Sequence, residues 1–321
     1  MLDRCAEVRR FDFAHWLLNT VGPTDMVLEC ECECGDGNAN VIFAGDVEFN
    51  GSAILGALIA GGHIVAEAIE ALGDVRAGGF ITAGKHITAD GNIAAGGRIT
   101  AFRSITASGD ITAGGEISLE GNLGGRSIAA QGRIAAVRGN ISASGGISSG
   151  DDMFAEWGIK AKGDLICNGR IRVADGDVSV GGDLHVAHTT TCRNLDAAQR
   201  AVIGGSVVIA GSITGGHYEV SRWTTVGAIA VTGDFATENI VSRGDICVGG
   251  SLRSGEGICA HGAIRAGSRI DAKWSIRAGA DCGIFAGLSA SVSRWETDAA
   301  VSAAEEPANL MCGYYCGAMR P

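Results

Sequence analysis

The residues with the most obvious chemistry lie in LECECECGDGN, where Cys30, Cys32 and Cys34 alternate with Glu29, Glu31 and Glu33 ahead of Asp36. On an extended strand, side chains two apart share a face, so the thiols lie with Leu28 and the carboxylates lie opposite. A thiolate row suits a soft metal, but tetrahedral sites draw ligand pairs from separate turns, as in C-x2-C. The period of two points instead to buried cysteines beside a solvated acidic face. His185, His188 and Cys192 form H-x2-H-x3-C with no fourth ligand nearby in sequence, and Cys312 and Cys316 flank Gly313, Tyr314 and Tyr315 as a possible disulfide, ligand pair or plain tail. Eleven cysteines, an odd number without framework spacings, fit reduced thiols rather than a secreted disulfide scaffold. No metal or cofactor is expected.

No nucleophile elbow, Walker loop or zincin helix occurs, and the Gly-x-Gly strings arise from a repeat rather than from a strand-to-helix phosphate turn. The seven histidines, at 15, 63, 86, 185, 188, 217 and 261, are scattered, and nothing marks one as a base. The reading is therefore non-enzymatic. Outward threonines at 82 and 100, and at 88 and 106, align as an ice-binding array would, but arginine, alanine and serine interrupt the columns.

Charge is the most informative functional signal. Residues 1–74 contain 13 Asp plus Glu against 3 Arg, a net of −10, whereas residues 75–149 contain 4 acids against 7 bases, a net of +3. Nearly all of the chain's −11 thus belongs to its first quarter. Such a field opposes nucleic acid, whose binding needs basic residues against phosphates, and steers a basic protein partner instead. Solubility alone is the competing explanation.

Those residues must be positioned by a scaffold, and the composition says which kind. The chain has 321 residues with 51 Gly and 3 Pro; 46% is hydrophobic and 19% charged, which excludes collagen and disorder. Written in sixes, Val75, Ile81, Ile87, Ile93, Ile99, Ile105, Ile111, Ile117 and Leu123 follow without a slip, and Ile128, Ile134, Ile141 and Ile147 continue after single-residue adjustments. Two positions after each anchor sits a small residue, usually alanine, so anchor and alanine share one face of a short strand. Six residues are about 1.67 helical turns, so a helix would scatter the isoleucines around its surface. The expected fold is all-β: a parallel β-solenoid of three short strands and 18 residues per coil, in which Ile81 stacks under Ile99 and Ile99 under Ile117. Glycine at the corners is expected to supply positive φ.

The spacing returns in Ile159, Leu165 and Ile171, and in Ile246, Leu252, Ile258, Ile264, Ile270 and Ile276. Between these runs, residues 187–240 break register and are expected to form bulges or protruding loops, where binding residues gather. The organisation expected is a cap over 1–40 (a helix plus the acidic Cys-rich strand), a solenoid over 41–295, and a cap or tail over 296–321. Bare solenoid ends polymerise or are covered. Cys5 to Leu18 reads as a helical lid carrying Phe11, Phe13 and Trp16, and Trp295 with a short helix as the other closure. The amino terminus lacks an uninterrupted apolar h-region, and no stretch of about 18 residues is apolar enough to span a bilayer, so a cytoplasmic protein without membrane contact is expected.

Units such as GDITAGGEIS (109–118) and GDVRAGGFIT (73–82) resemble those of the bactofilins. That resemblance implies a parallel β-helix core that polymerises end to end as a cytoskeletal scaffold. The hexapeptide-repeat acyltransferases share the architecture. The solenoid here is more than twice the bactofilin length, and its ends carry aromatic-rich segments. The functional expectation is an interaction module, a monomer or small homo-oligomer of the inhibitor or toxin-neutralising immunity type, with a bactofilin-like scaffold as the alternative. Its partner-binding residues are Glu29, Glu31, Glu33 and Asp36 on the acidic face, and His185, His188, Arg193, Tyr218 and Trp223 in the irregular segment.

Overall fold

The computed structural model of the chain describes residues 24–30, 39–289 and 293–318. The expected helical lid, with Phe11, Phe13 and Trp16, lies outside the described residues, as do Glu31, Cys32, Glu33, Cys34 and Asp36. The chain divides into two compact units, 1–161 and 162–321. Each is a parallel β-solenoid with three strands per coil.

In the first unit the hexad becomes structure position by position. Strands Ile81–Ala83, Ile99–Ala101 and Ile117–Leu119 pair in parallel, with Ile81 beside Ile99 and Ile99 beside Ile117. Ile64 precedes this column, and Ile134 and Met153 follow it. The other two walls stack Ile69, Ile87, Ile105 and Leu123, and Val75, Ile93, Ile111 and Ile128. Ile81, Ile87, Ile93, Ile99 and Ile105 are wholly buried. Each such side chain contributes about 1.5–3 kcal/mol relative to exposure, and the small third residue leaves room at the narrow centre.

The corner glycines serve a different purpose from the one expected. Among the described residues positive φ occurs at Gly215, Gly287, Gly313 and Gly317, none of them in the hexad run. Instead, neighbouring coils approach too closely for a side chain. A Cβ on Gly78 would stand 2.0 Å from the Gly61 carbonyl oxygen, one on Gly96 2.1 Å from that of Gly78, and one on Gly114 2.1 Å from that of Gly96. Closeness of backbone, rather than handedness of φ, selects glycine here.

The residue before every third anchor has its own function. Asp74 Oδ1 accepts the Asn92 backbone N–H at 2.8 Å, Asn92 Oδ1 that of Asp110 at 2.9 Å, and Asp110 Oδ1 that of Ser127 at 3.2 Å. A short polar side chain at this corner thus satisfies a backbone donor one coil further on, which explains the recurring Gly-Asp-Ile and Gly-Asn-Ile triplets.

The second unit keeps the three walls but departs at 187–240. No loop protrudes there; the segment folds into long strands, Leu195–Ile203, Ser212–Val226 and Phe235–Ser242, which run through the coil corners. Two register shifts interrupt their pairing, between Ala197 and Arg200 and between Val220 and Trp223, so the expected bulges are present. Each inserts a residue and re-aims the chain around a corner without a break.

Parallel pairing extends beyond the interval 41–295 at both ends. Val27–Cys30 pairs with Asp46–Phe49. In the second unit, Val301 lies beside Ile270, Leu310 beside Ile284 and Tyr315 beside Val301. The expected short helix is Trp295–Asp298, and Trp295 itself is 43% exposed. Among the described residues no helix is long and apolar enough to cross a membrane.

Candidate functional site

The amino-terminal strand alternates as expected, with Leu28 and Cys30 half-buried and Val27 and Glu29 exposed. Glu29 lies in register beside Glu48, which is also exposed. Stacked like charges are unfavourable on adjacent strands, and several other carboxylates of this unit meet a cation instead. Glu67 pairs with Lys85, Asp110 with Arg126, Glu116 with Arg133 and Glu120 with Arg138, each acid meeting a cation one coil further on. Arg126 holds the Asp110 carboxyl below its ordinary range, and Lys85 does the same for Glu67. Among the described residues neither Glu29 nor Glu48 has an ion pair.

The second unit separates the residues expected to bind together in the irregular segment. His185 is exposed at the outward position of Leu184–Val186, whereas Cys192 points inward, 4% exposed, and its thiol donates to the Asn194 carbonyl at 3.1 Å. Burial pushes that thiol up to about 12. His188 is exposed at a corner instead, so the H-x2-H-x3-C spacing brings no ligands to one point. Arg193 is exposed at another corner with its guanidinium beside Asp177, 3.5 Å away. Among the described residues no three His, Cys, Asp or Glu side chains form a metal-binding group.

Tyr218 requires correction as a partner-binding residue, because it is wholly buried. It occupies a core column between Ala201 and Phe235, where the small alanine leaves space for a ring, and it stacks on Phe235 with centroids 5.9 Å apart. Its hydroxyl donates to the Thr214 carbonyl at 2.6 Å and accepts the Ala197 N–H at 2.9 Å, which closes the backbone at the first register shift. Burial raises its pKa. The aromatic that does reach the surface is Trp223, 60% exposed.

Trp223 stands at the second register shift. There Val220 pairs with Thr237 and Trp223 with Asn239, so Ser221 and Arg222 oppose Glu238 alone, and Ser221, Arg222 and Trp223 are all exposed. Along the same corner Glu256 N–H donates to the Glu238 carbonyl, and Trp274 N–H to the Glu256 carbonyl at 2.9 Å. The corner therefore carries Trp223, then Glu238 with Asn239, then Glu256, then Trp274 on four successive coils, with Trp274 57% exposed. Asn239 Nδ2 donates to Glu256 at 3.3 Å. Sequence reasoning singled out Trp223 but missed Glu238, Glu256 and Trp274; successive offsets of 15, 18 and 18 residues along the chain were the available signal.

Two other features of this unit are accounted for locally. The buried carboxylate of Asp271 lies between Arg269 and Arg253, 2.6 and 3.7 Å away, and so is neutralised by its own neighbours. A cleft of about 480 Å³ is lined by Thr232, Cys247, Arg265 and Leu288, and Arg265 there faces both Asp245 and the Phe285 ring. Comparison with known proteins found no matching family model, curated protein or solved structure.

Proposed function

We propose that the protein is a non-enzymatic protein-interaction module, of the inhibitor or toxin-neutralising immunity type, that holds a basic partner through its acidic amino-terminal region. The observation that carries this reading is the Glu29–Glu48 stack. Glu67, Asp110, Glu116 and Glu120 in the same unit each meet a cation one coil further on, whereas among the described residues the Glu29–Glu48 pair meets none, in the quarter that holds a net charge of −10. Uncompensated surface charge acts chiefly on encounter and orientation. Glu31, Glu33 and Asp36 continue the acidic sequence.

The test is association kinetics of an affinity-captured basic partner at low and physiological ionic strength. The variant Glu29→Lys/Glu48→Lys should associate more slowly and lose much of the salt dependence, while its melting temperature stays near that of the parent. Unchanged association rates would overturn the acidic-face reading.

A bactofilin-like scaffold is favoured by one observation. The hexad units that resemble those of the bactofilins build an uninterrupted parallel solenoid in the first unit, with Ile81, Ile99 and Ile117 stacked in one column. Filaments seen by electron microscopy in purified protein would favour that reading over the module; a discrete monomer or dimer would exclude it.

A further inference from the structure

We infer that the corner bearing Trp223, Glu238, Glu256 and Trp274 is a docking groove for an extended basic segment of a protein partner, with an arginine or lysine over the glutamates and an apolar side chain on each tryptophan. This deepens the reading above, since it rests on a basic partner, but it places a contact in the second unit.

Three observations converge on this corner. First, the solenoid does not need these side chains: Trp223 and Trp274 are 60% and 57% exposed at corner positions, outside the core columns. Tryptophan is enriched among residues that dominate protein interfaces. Second, Glu238 and Glu256 are adjacent along the corner and joined by a backbone hydrogen bond. Among the described residues neither carboxylate has an ion pair, in a unit where Asp177, Glu219 and Asp245 meet Arg193, Arg200 and Arg265 on neighbouring coils. Arg222 and Lys273 flank the groove without reaching those carboxylates; Lys273 Nζ lies 5.0 Å from the Trp274 ring centroid instead. Third, the register shift at Val220/Trp223 turns Trp223 outward at the end of the acidic pair.

The dimensions select the occupant's conformation. Three coil steps of about 4.8 Å separate the tryptophans, roughly 14 Å. Residues i and i+4 of an extended chain are about 13 Å apart on one side, with i+2 midway between them. A segment of the form apolar-x-basic-x-apolar therefore sets its ends on the two indoles and its cation over Glu238 and Glu256, with cation–π attraction available at either ring.

The experiment uses the full chain labelled with 5-fluorotryptophan, with resonances assigned by Trp157→Phe, Trp223→Phe and Trp274→Phe. The probes are the capped peptides Leu-Ser-Arg-Ser-Leu and Leu-Ser-Glu-Ser-Leu. The arginine peptide should shift the Trp223 and Trp274 resonances saturably and leave Trp157 unmoved, although Trp157 is 54% exposed. The variant Glu238→Gln/Glu256→Gln, which keeps size and fold, should weaken binding about tenfold. Equal response to the glutamate peptide, parallel movement of Trp157, or undiminished binding by the Gln pair would each overturn the groove. In Glu29→Lys/Glu48→Lys the Trp223 and Trp274 shifts should persist. Slowed partner association in that variant bears on the amino-terminal face alone, whereas loss of the indole shifts in the Gln pair bears on the groove alone.

Discussion

Replacing Gly96 by alanine separates close approach from φ as the reason for glycine at the corners. A Cβ there would lie 2.1 Å from the Gly78 carbonyl oxygen, whereas ordinary contact begins at 3.4 Å, so the two coils must part by more than an ångström. Two hydrogen bonds flank the clash, Gly96 N–H to Ala77 O at 3.0 Å and Gly97 N–H to Gly79 O at 2.8 Å, and both lengthen if the coils separate. Weakening two such bonds, each worth about 0.5–1.5 kcal/mol, agrees with the ~1–3 kcal/mol typical of overpacking. The control is Gly84, where a Cβ would meet nothing closer than 3.6 Å. Gly84→Ala should stabilise by about 0.4–1 kcal/mol, because alanine restricts the unfolded chain. At about 2–4 °C per kcal/mol for a unit of this size, Gly96→Ala should lower the melting temperature by several degrees and Gly84→Ala should raise it slightly. Scanning calorimetry of the two variants beside the parent decides. If both melt together, the steric account of the corners is wrong.

Further outcomes follow from particular buried groups. Ile99→Asp places an unpaired charge between Ile81 and Ile117, so thermal unfolding should show a loss of several kcal/mol. Tyr218→Phe removes the hydroxyl that serves Thr214 O and Ala197 N and should destabilise by about 1–3 kcal/mol in denaturant titration, more than deletion of an exposed hydroxyl would. With its thiol pushed up to about 12, Cys192 should resist alkylation at pH 8 until the chain unfolds, whereas exposed Cys316 reacts at once; peptide mapping after brief labelling reads both. Asp298 accepts backbone N–H groups of Arg294 and Ser293, which lower its pKa from 3.8 to about 2. Its contribution to the Trp295–Asp298 turn is therefore complete above pH 3.8 and is lost as pH falls through 2, a transition in Trp295 fluorescence that Asp298→Asn should abolish.

How much of this was legible in the sequence depended on whether a feature lived within six residues or across eighteen. The isoleucine anchors and their alanines recur within one hexad, so the strands, their inward faces and the Ile81–Ile99–Ile117 stack could all be read directly. The role of glycine could not, because the Gly96 clash is with Gly78, a residue in the coil before it. Tyr218 looked like a binding residue because aromatics in irregular segments often are. Its burial depended on the small neighbour Ala201, which only the shifted register of Leu195–Ile203 brings beside it. The irregular segment itself read as bulges or protruding loops because HTTTCRNLDAAQR and HYEVSRWTTVG break the six-residue register. In the fold, strands continue around the corners there, with bulges absorbing the change of direction.

The same offset explains why a site on a solenoid hides from motif searches. Side chains that meet on such a surface come from successive coils, so a functional constellation appears in sequence as single residues some 15–19 positions apart. The ion pairs of the first unit follow this spacing, with Glu67 and Lys85 eighteen apart and Glu116 and Arg133 seventeen. Once that rule is known, its violations become the informative positions: Glu29 facing Glu48, and Glu238 beside Glu256 between two exposed tryptophans. Stacking demands isoleucine inside, glycine where backbones touch, and Asp or Asn where a donor needs a partner. It does not demand like charges side by side or indoles in solvent. Residues that the repeat neither requires nor tolerates cheaply are those whose energetic cost an interaction outside the coil must offset.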